Sequence, residues 1–283
     1  MNIFIKKNNS NTTKLVENKG IPYLNFPPLE ETGLVISGFS TRLGGVSKGY
    51  LSSMNLGFER GDDKETVMKN FALISDAMGF SSNQIVKGRQ THTTNVEVVD
   101  RNDCGRCFVD DEFLQDVDGL VTNDPKVVLA ASFADCVPLY ILDPVKKVIG
   151  LSHSGWRGTV RYMGRATVEK MEEAFGCQPE DLIACIGPSI CQDCYEVSQD
   201  VAIQFQYAFP EEFIDDILLE KPNGKYQLNL WKANEVVFLK AGLKKENIHQ
   251  PDICTCCNSN VLFSHRASEG KRGNMAGFFK LLP

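Results

Sequence analysis

Three side chains that lie far apart in the sequence have the chemistry of metal ligands: His92, Cys136 and His153. Two imidazoles and one thiolate are typical of a zinc site whose fourth position stays open, the catalytic rather than the structural arrangement. A metal held in this way lowers the pKa of a bound water or polarises a substrate oxygen. Their spacing matches no compact zinc motif, so a solvated loop histidine and a buried thiol are the alternative. A nucleophilic Cys136–His153 dyad is another, and it needs the imidazole within hydrogen-bond reach of the sulfur.

One apolar stretch, residues 127–158, supplies the elements that must position Cys136 and His153. It predicts three short strands, at residues 127–133, 137–142 and 148–152. The turn between the second and third is predicted at Asp143-Pro144, because proline fixes φ and has no N–H to donate to a ladder. Cys136 then lies between the first two strands and His153 follows the third, so rigid backbone holds both.

Hydrophobic periodicity elsewhere predicts scaffold elements. The predicted helices run from a capping box at residues 62–65 to Gly79, from Gly158 to Gly176, and over residues 197–208 and 231–241. His92 falls in a loop between strands predicted at residues 85–87 and 96–99. Residues 1–20 predict an exposed polar lead-in, residues 210–229 a charged, turn-rich segment, and residues 254–283 strands and turns. Because no repeat or flexible linker interrupts the chain, we expect one compact domain over residues 21–283.

Composition narrows the class of protein. The 283-residue chain is 42% hydrophobic, enough for a large core, and its net charge of −6 argues against a nucleic-acid partner. No apolar run is long enough to cross a membrane, and the N-terminal residues lack the apolar region of a secretory signal. We therefore expect a cytoplasmic protein whose ten cysteines are mostly reduced thiols.

The other cysteines form three short groups: the CxxC pairs Cys104/Cys107 and Cys191/Cys194, and a cluster at Cys254, Cys256 and Cys257. Two CxxC pairs can hold a structural zinc, but the interval between the first two pairs far exceeds that of a zinc ribbon. Reduced packing thiols are the default interpretation.

Eight short segments, taken in order, resemble one family over nearly the whole chain. They are FSTRLGGVS at residues 39–47, MNLG at 54–57, QTH at 90–92, DGLVT at 118–122, ADCVP at 134–138, HSGWRG at 153–158, IGPSI at 186–190 and YEV at 195–197. The chain is identified as a member of the bacterial laccase-domain family of zinc-containing purine nucleoside phosphorylases, also called YfiH/YlmD-like proteins or polyphenol oxidases. Ser154 is a small departure, since the family usually has alanine there.

The resemblance implies a fold, a site and an activity. The fold is α+β, a layered α/β/β/α sandwich with mixed sheets in a single domain. The metal ligands are His92, Cys136 and His153, holding Zn²⁺, with Cys136 a ligand rather than a free nucleophile. The activity is phosphorolysis of adenosine and inosine to the free base and ribose 1-phosphate. Adenosine deamination and methylthioadenosine cleavage are attributed to such proteins as well.

Phosphorolysis brings a phosphate dianion to the ribose, which requires cationic and N–H donors. Arg42 with the Gly44-Gly45 loop is the first candidate, and Arg157 with the helix start after Gly158 is the second. Asn55 is a candidate for hydrogen bonding to a ribose hydroxyl or a metal-bound water. Arg157 is equally suited to a structural role in its own turn.

Two alternative functions come from other classes of protein. A copper-dependent polyphenol oxidase needs more ligand sets, and only His249 and His265 remain for further coppers. A non-enzymatic factor in cell division or envelope assembly would act through surface contacts, with a purely structural metal. The sequence does not decide the preferred nucleoside or the oligomeric state.

Overall fold

Two six-stranded sheets dominate the computed structural model, which describes residues 3–109 and 114–283. In chain order the strands are β1 (Lys14–Asn18), β2 (Ile21–Asn25), β3 (Val35–Ser40), β4 (Ile85–Lys87), β5 (Val96–Val98), β6 (Gly119–Thr122), β7 (Val128–Phe133), β8 (Val137–Asp143), β9 (Val148–Ser154), β10 (Ile183–Ile186), β11 (Glu196–Val197), β12 (Leu218–Glu220), β13 (Tyr226–Leu228), β14 (Ile248–His249) and β15 (Met275–Leu281). The α-helices are α1 (Pro27–Glu30), α2 (Lys64–Met78), α3 (Trp156–Val160), α4 (Met163–Phe175), α5 (Gln199–Ala208), α6 (Glu211–Ile217) and α7 (Leu230–Lys240). Short 3-10 helices occupy Gly49–Leu51, Phe58–Arg60, Ser82–Gln84, Arg101–Asp103, Arg106–Phe108, Pro179–Asp181, Gln192–Cys194 and Lys245–Asn247.

Both large sheets are mixed. The first sheet has the order β1-β2-β3-β15-β7-β4 and the second has the order β14-β10-β8-β9-β6-β5. The pairs β4–β7, β5–β6 and β10–β14 are parallel, and the other pairs are antiparallel. A third, three-stranded sheet has the order β11-β13-β12. The predicted mixed sheets are confirmed.

Alternation along β8 explains how the layers stack. Leu139 and Ile141 face the cluster that includes Met163 of α4 and Phe238 of α7, whereas Tyr140 and Leu142 face the cluster between the two sheets. Successive side chains of a strand point to opposite faces, so a strand apolar on both faces is buried in the middle of a layered structure.

The first sheet is covered on its other face by α2. Phe71 and Ile74 of this helix pack with Val128 and Ala130 of β7 and with Phe278 of β15. The order of layers is therefore α2, first sheet, second sheet, then α4 and α7, which confirms the α/β/β/α sandwich.

The expected lead-in at residues 1–20 needs correction. β1 pairs with β2 along its whole length, Phe4 is buried, and the N–H of Lys7 donates to the carbonyl of Asp252. These polar residues belong to the folded unit because strand pairing, rather than an apolar pattern, holds them.

Three further differences concern secondary structure. The segment after Gly155 is two helices, α3 and α4, separated at Tyr162, which adopts a positive φ of 62°. The capping carboxylate of α2 is Asp63, whose side chain accepts from the N–H of Thr66, and not Asp62. The segment at residues 210–229 contains α6, β12 and β13 in addition to turns.

None of the helices in the described ranges has the length and apolarity needed to cross a membrane.

Tyr140 joins the two sheets through a buried hydrogen bond. Its hydroxyl donates to the carbonyl of Gly38 on β3 over 2.7 Å. We expect Tyr140→Phe to lower the free energy of unfolding by about 1–2 kcal/mol, because a buried hydrogen bond is lost while the ring packing stays. Urea unfolding measures the change. Tyr207→Phe, at a tyrosine 88% exposed on α5, is the control and should change stability by less than about 0.5 kcal/mol. Equal effects of the two substitutions would contradict this role.

Candidate functional site

His92, Cys136 and His153 converge at one end of the two large sheets. His92 lies on the connection from β4 in the first sheet to β5 in the second, and Cys136 lies on the connection from β7 to β8, which crosses between the same two sheets. His153 lies within β9, opposite Pro138 of β8. One ligand atom from each of the three lies within 4.8 Å of the others, and the two imidazole centroids are 5.0 Å apart. The predicted trio is therefore brought together.

Asp118, directly before β6, fixes the two histidine elements relative to each other. Its carboxylate, in a residue 2% exposed, accepts from Nδ1 of His153 over 2.8 Å. It also accepts from the backbone N–H groups of Thr91, His92 and Thr93 over 3.0, 3.2 and 2.9 Å. Burial opposes ionisation, yet the hydrogen bonds from His153 and from these amides lower the pKa of the Asp118 carboxyl. Since Nδ1 of His153 is hydrogen-bonded to Asp118, Nε2 is the ring nitrogen left to face His92 and Cys136.

The electrostatics of the trio favour a thiolate. Burial raises the pKa of the Cys136 thiol, but the charge and hydrogen bonds of His153 and His92 outweigh it and bring this pKa to about 6. A thiolate is the form of cysteine that ligates metals.

Gly155 allows this close approach. A Cβ atom at Gly155 would lie 2.9 Å from Sγ of Cys136 and 3.1 Å from Cδ2 of His92. Only glycine leaves room for the two ligands at this point of the chain.

A cavity of about 360 Å³ opens on the trio. Phe58 and Phe108 supply an aromatic wall, and Arg60 and Arg272 line the same space. Apolar and aromatic walls with a few convergent polar groups are typical of small-molecule sites, and aromatic rings suit a flat base.

Arg60 and Arg272 give the cavity an unusual concentration of positive charge. Burial and the neighbouring Arg60 lower the pKa of Arg272 to about 10, so its guanidinium remains a cation at neutral pH. The Nε atom of each arginine is buried and has no hydrogen-bond partner among the described residues. Two adjacent cations with unused donors are the chemistry of an anion site, because a phosphate group can accept from both.

The three residues predicted from the sequence to contact the substrate lie outside the lining of this cavity. Arg42 donates to the carbonyls of Ser52 and Ser259 and packs over the ring of Phe263. The exposed guanidinium of Arg157 stacks on the ring of Trp156, 4.4 Å from its centroid. Arg157 belongs to α3, a helix of five residues that begins at Trp156, and not to the long helix predicted after Gly158. Arg42 therefore joins its loop to the segment at residues 259–263, and Arg157 contacts its neighbour Trp156.

Asn55 is fully buried and its amide is committed to the fold. It donates to the carbonyl of Gly57 and to Asp62, and its oxygen accepts from the N–H groups of Gly57 and Asn274. Through Gly57 and Asn274, both of which line the cavity, Asn55 shapes the wall without reaching the space itself.

Sequence reasoning missed Asp118, Arg60 and Arg272. Asp118 stands in the DGLVT segment immediately before a buried strand, and an acidic residue at that position was the available signal. Arg60 and Arg272 are 212 residues apart and carry no local motif, so only the tertiary fold pairs them. His249 and His265 join no group of possible metal ligands among the described residues.

Comparison with known proteins assigns the chain to a family. Residues 36–282 match the family described as multi-copper polyphenol oxidoreductase laccase. Purine nucleoside phosphorylase YlmD of Bacillus subtilis is 37% identical over 245 residues, which cover 86% of this chain and 87% of that protein. Adenosine deaminase RL5, from an unknown prokaryotic organism, is 34% identical over 82% of this chain and 88% of its own length. The crystal structure of Bacillus licheniformis YfiH superimposes with a TM-score of 0.89 at 31% identity, covering 96% of this chain and 100% of YfiH. The resemblance inferred from the motifs is confirmed: the chain belongs to the multi-copper polyphenol oxidoreductase laccase family, the family of YfiH and YlmD.

Proposed function

We propose that this chain is a purine nucleoside phosphorylase that cleaves adenosine or inosine with phosphate, releasing the base and ribose 1-phosphate. One observation carries the proposal: a single cavity contains both the His92, Cys136 and His153 trio and the Arg60–Arg272 pair. The names of the relatives, which include purine nucleoside phosphorylase and adenosine deaminase, support the same class of substrate. Methylthioadenosine is proposed as a further substrate, because the reacting bond and the base are of the same kind.

We propose zinc as the metal of the trio. Two imidazoles and a thiolate fit Zn²⁺, and three protein ligands are typical of a catalytic site. The low thiol pKa of Cys136 and the hydrogen bond from His153 to a buried carboxylate are the features expected of metal ligands. Bound there, zinc supplies Lewis acidity toward an oxygen of the substrate or of a water molecule.

The chain's own residues account for the rest of the chemistry. Arg60 and Arg272 hold the phosphate, whose oxygen forms a bond to ribose C1′ as the bond from C1′ to the purine nitrogen breaks. The electron pair of that bond leaves with the base, and a proton from solvent completes the free purine. The guanidinium charges offset the repulsion between the dianion and the electron-rich leaving group. Phe58 and Phe108 provide an apolar wall for the base.

Adenosine deamination is proposed as a second activity of the same cavity. The deaminase relative supports it, and a metal with an open position can serve attack of water on the purine C6. A polyphenol oxidase is the weaker alternative, since it would need further copper ligands and neither His249 nor His265 joins a ligand group in the described part of the chain. Metal analysis and a visible spectrum of the purified protein separate the two, with a colourless zinc protein expected.

The proposed function is tested by incubating the metal-loaded protein with inosine or adenosine, with and without phosphate. We expect phosphate-dependent formation of ribose 1-phosphate, and loss of this activity in His92→Ala and Cys136→Ala variants that remain folded. Base release at the same rate without phosphate would make the protein a hydrolase. Unchanged cleavage in both variants would remove the trio from the reaction.

The phosphate site is tested by Arg272→Ala and Arg60→Ala. Loss of a charge-assisted hydrogen bond costs about 1.5–3 kcal/mol, so the KM for phosphate should rise by roughly 10-fold or more while the KM for the nucleoside changes little. Steady-state kinetics with each substrate varied in turn measures the two KM values separately. Arg165→Ala, at an exposed arginine paired with Glu169 on α4, is the control. If Arg157→Ala raises the phosphate KM and Arg272→Ala does not, the assignment from the sequence is the correct one.

Asp118→Asn tests whether the carboxylate of Asp118 holds the His92, Cys136 and His153 trio in position. The neutral amide is a weaker acceptor for His153, and its NH₂ group faces backbone N–H donors, so we expect metal affinity to fall roughly 10–100-fold. Competition with a chelator measures it. Asp124→Asn, at another buried carboxylate that accepts from Arg101 and the N–H of Lys126, is the matched control and should leave metal affinity unchanged. An identical affinity in the two variants would contradict the role of Asp118.

A further inference from the structure

Four cysteines outside the trio converge on one point. They are Cys191 and Cys194, around a 3-10 helix, and Cys254 and Cys257, in the segment after residue 253, and their sulfurs all lie within 4.8 Å of one another. Sγ of Cys257 is 3.5 Å from Sγ of Cys194 and 4.0 Å from Sγ of Cys191. The other CxxC pair does not join them. Cys104 donates to the carbonyl of Gln84, directly before β4, and Cys107 donates to the carbonyl of Ile85 in β4.

The backbone around the four sulfurs is organised toward them. The N–H groups of Cys191 and Cys257 donate to Sγ of Cys254 over 3.2 and 3.4 Å. Two backbone amides, one from each pair, therefore converge on a single sulfur of the cluster. Two backbone hydrogen bonds also join the two segments, from the N–H of Thr255 to the carbonyl of Ser189 and from the N–H of Ser189 to the carbonyl of Ile253. The two pairs are therefore held in a fixed relation.

The geometry suits a tetrahedral metal. A zinc–sulfur distance of about 2.3 Å places neighbouring sulfurs of a tetrahedron about 3.8 Å apart, close to the separations found here. Each pair has the C-x2-C spacing of structural zinc ligands. A disulfide would need sulfurs about 2.05 Å apart, and all ten cysteines are free thiols.

A cation stands beside the cluster. Nζ of Lys7 pairs over 2.7 Å with the carboxylate of Asp193, which lies between Cys191 and Cys194 in the sequence. Four thiolates around one divalent ion carry a net charge of −2, and the Lys7–Asp193 ion pair adds no further negative charge beside them.

We propose that Cys191, Cys194, Cys254 and Cys257 form a second, structural metal site, a zinc tetrathiolate. With four protein ligands it has no open position, so it acts on the fold and not on a substrate. Tetrahedral S₄ coordination is typical of zinc or iron, and zinc is the assignment made here.

The second site braces the residue next to Cys136. Asp135 adopts a positive φ of 88°, unusual for a residue other than glycine. Its carboxylate accepts from the hydroxyl of Thr255, between the second pair of cysteines, and from the N–H of Arg266. Its carbonyl accepts from the N–H of Ile190, directly before Cys191. Both cysteine-bearing segments therefore hold the turn that presents Cys136 to the cavity.

The test is metal content per chain, measured on purified protein by elemental analysis. We expect two zinc ions in the full chain, one in Cys191→Ser/Cys254→Ser and one in His92→Ala/His153→Ala. Cys104→Ser/Cys107→Ser, which alters the CxxC pair outside the cluster, is the matched control and should keep two. If the trio holds no metal, the full chain would contain one zinc ion and the Cys191/Cys254 variant none, so the second site is tested independently of the proposed function.

A second measurement tests the proposal even if Cys191→Ser/Cys254→Ser does not fold. Co²⁺ loaded into His92→Ala/His153→Ala should give the intense charge-transfer absorption of cobalt bound to several thiolates. Equal zinc content in the full chain and the Cys191/Cys254 variant would overturn the proposal. So would iron at the site, or a disulfide among the four cysteines found by intact mass under non-reducing conditions.

Discussion

The carboxylate of Asp118 accepts hydrogen bonds from the imidazole of His153 on β9 and from three consecutive backbone amides of the loop that carries His92. The loop has no regular ladder of its own at this point, and His92 adopts a positive φ of 65° that a free loop would rarely hold. One buried charge therefore sets the position of one ligand and the backbone course of another. The cost of burying it is met by these donors, since a carboxylate left without them would be protonated or displaced.

The layered architecture explains why the trio forms at this place. The β4–β5 and β7–β8 connections both pass from one large sheet to the other, and they carry His92 and Cys136. β9 lies beside β8, so His153 reaches the same end of the interface between the sheets. Crossings of this kind interrupt both ladders, which leaves room for a cavity while the sheets on either side stay rigid. Gly155 then lets the third element approach the sulfur and the imidazole closely.

Much of the fold and part of the site follow from the sequence. The apolar runs around residues 127–152 predict β7, β8 and β9 to within two residues at each end, because strands buried on both faces need continuous apolar sequence. Residue type and position near strand ends make His92, Cys136 and His153 candidate ligands, and the family resemblance selects them over the alternatives. The Arg60–Arg272 pair does not, since each arginine acts only through a neighbour 212 residues away. The tertiary fold also decides which cysteines meet Cys191 and Cys194. They are Cys254 and Cys257, and spacing alone gave no ground for choosing this pair over Cys104 and Cys107.

The position of β15 in the first sheet affects how the chain folds during its synthesis. This strand, at residues 275–281, lies between β3 and β7 in the middle of the first sheet, and it pairs with both. Until residues 275–281 have been translated, the edges of β3 and β7 that pair with β15 have no partner strand. Closure of the sheet must then wait until translation of this strand is complete and it has cleared the exit tunnel. During that interval the nascent chain exposes apolar strand edges of the kind that chaperones bind.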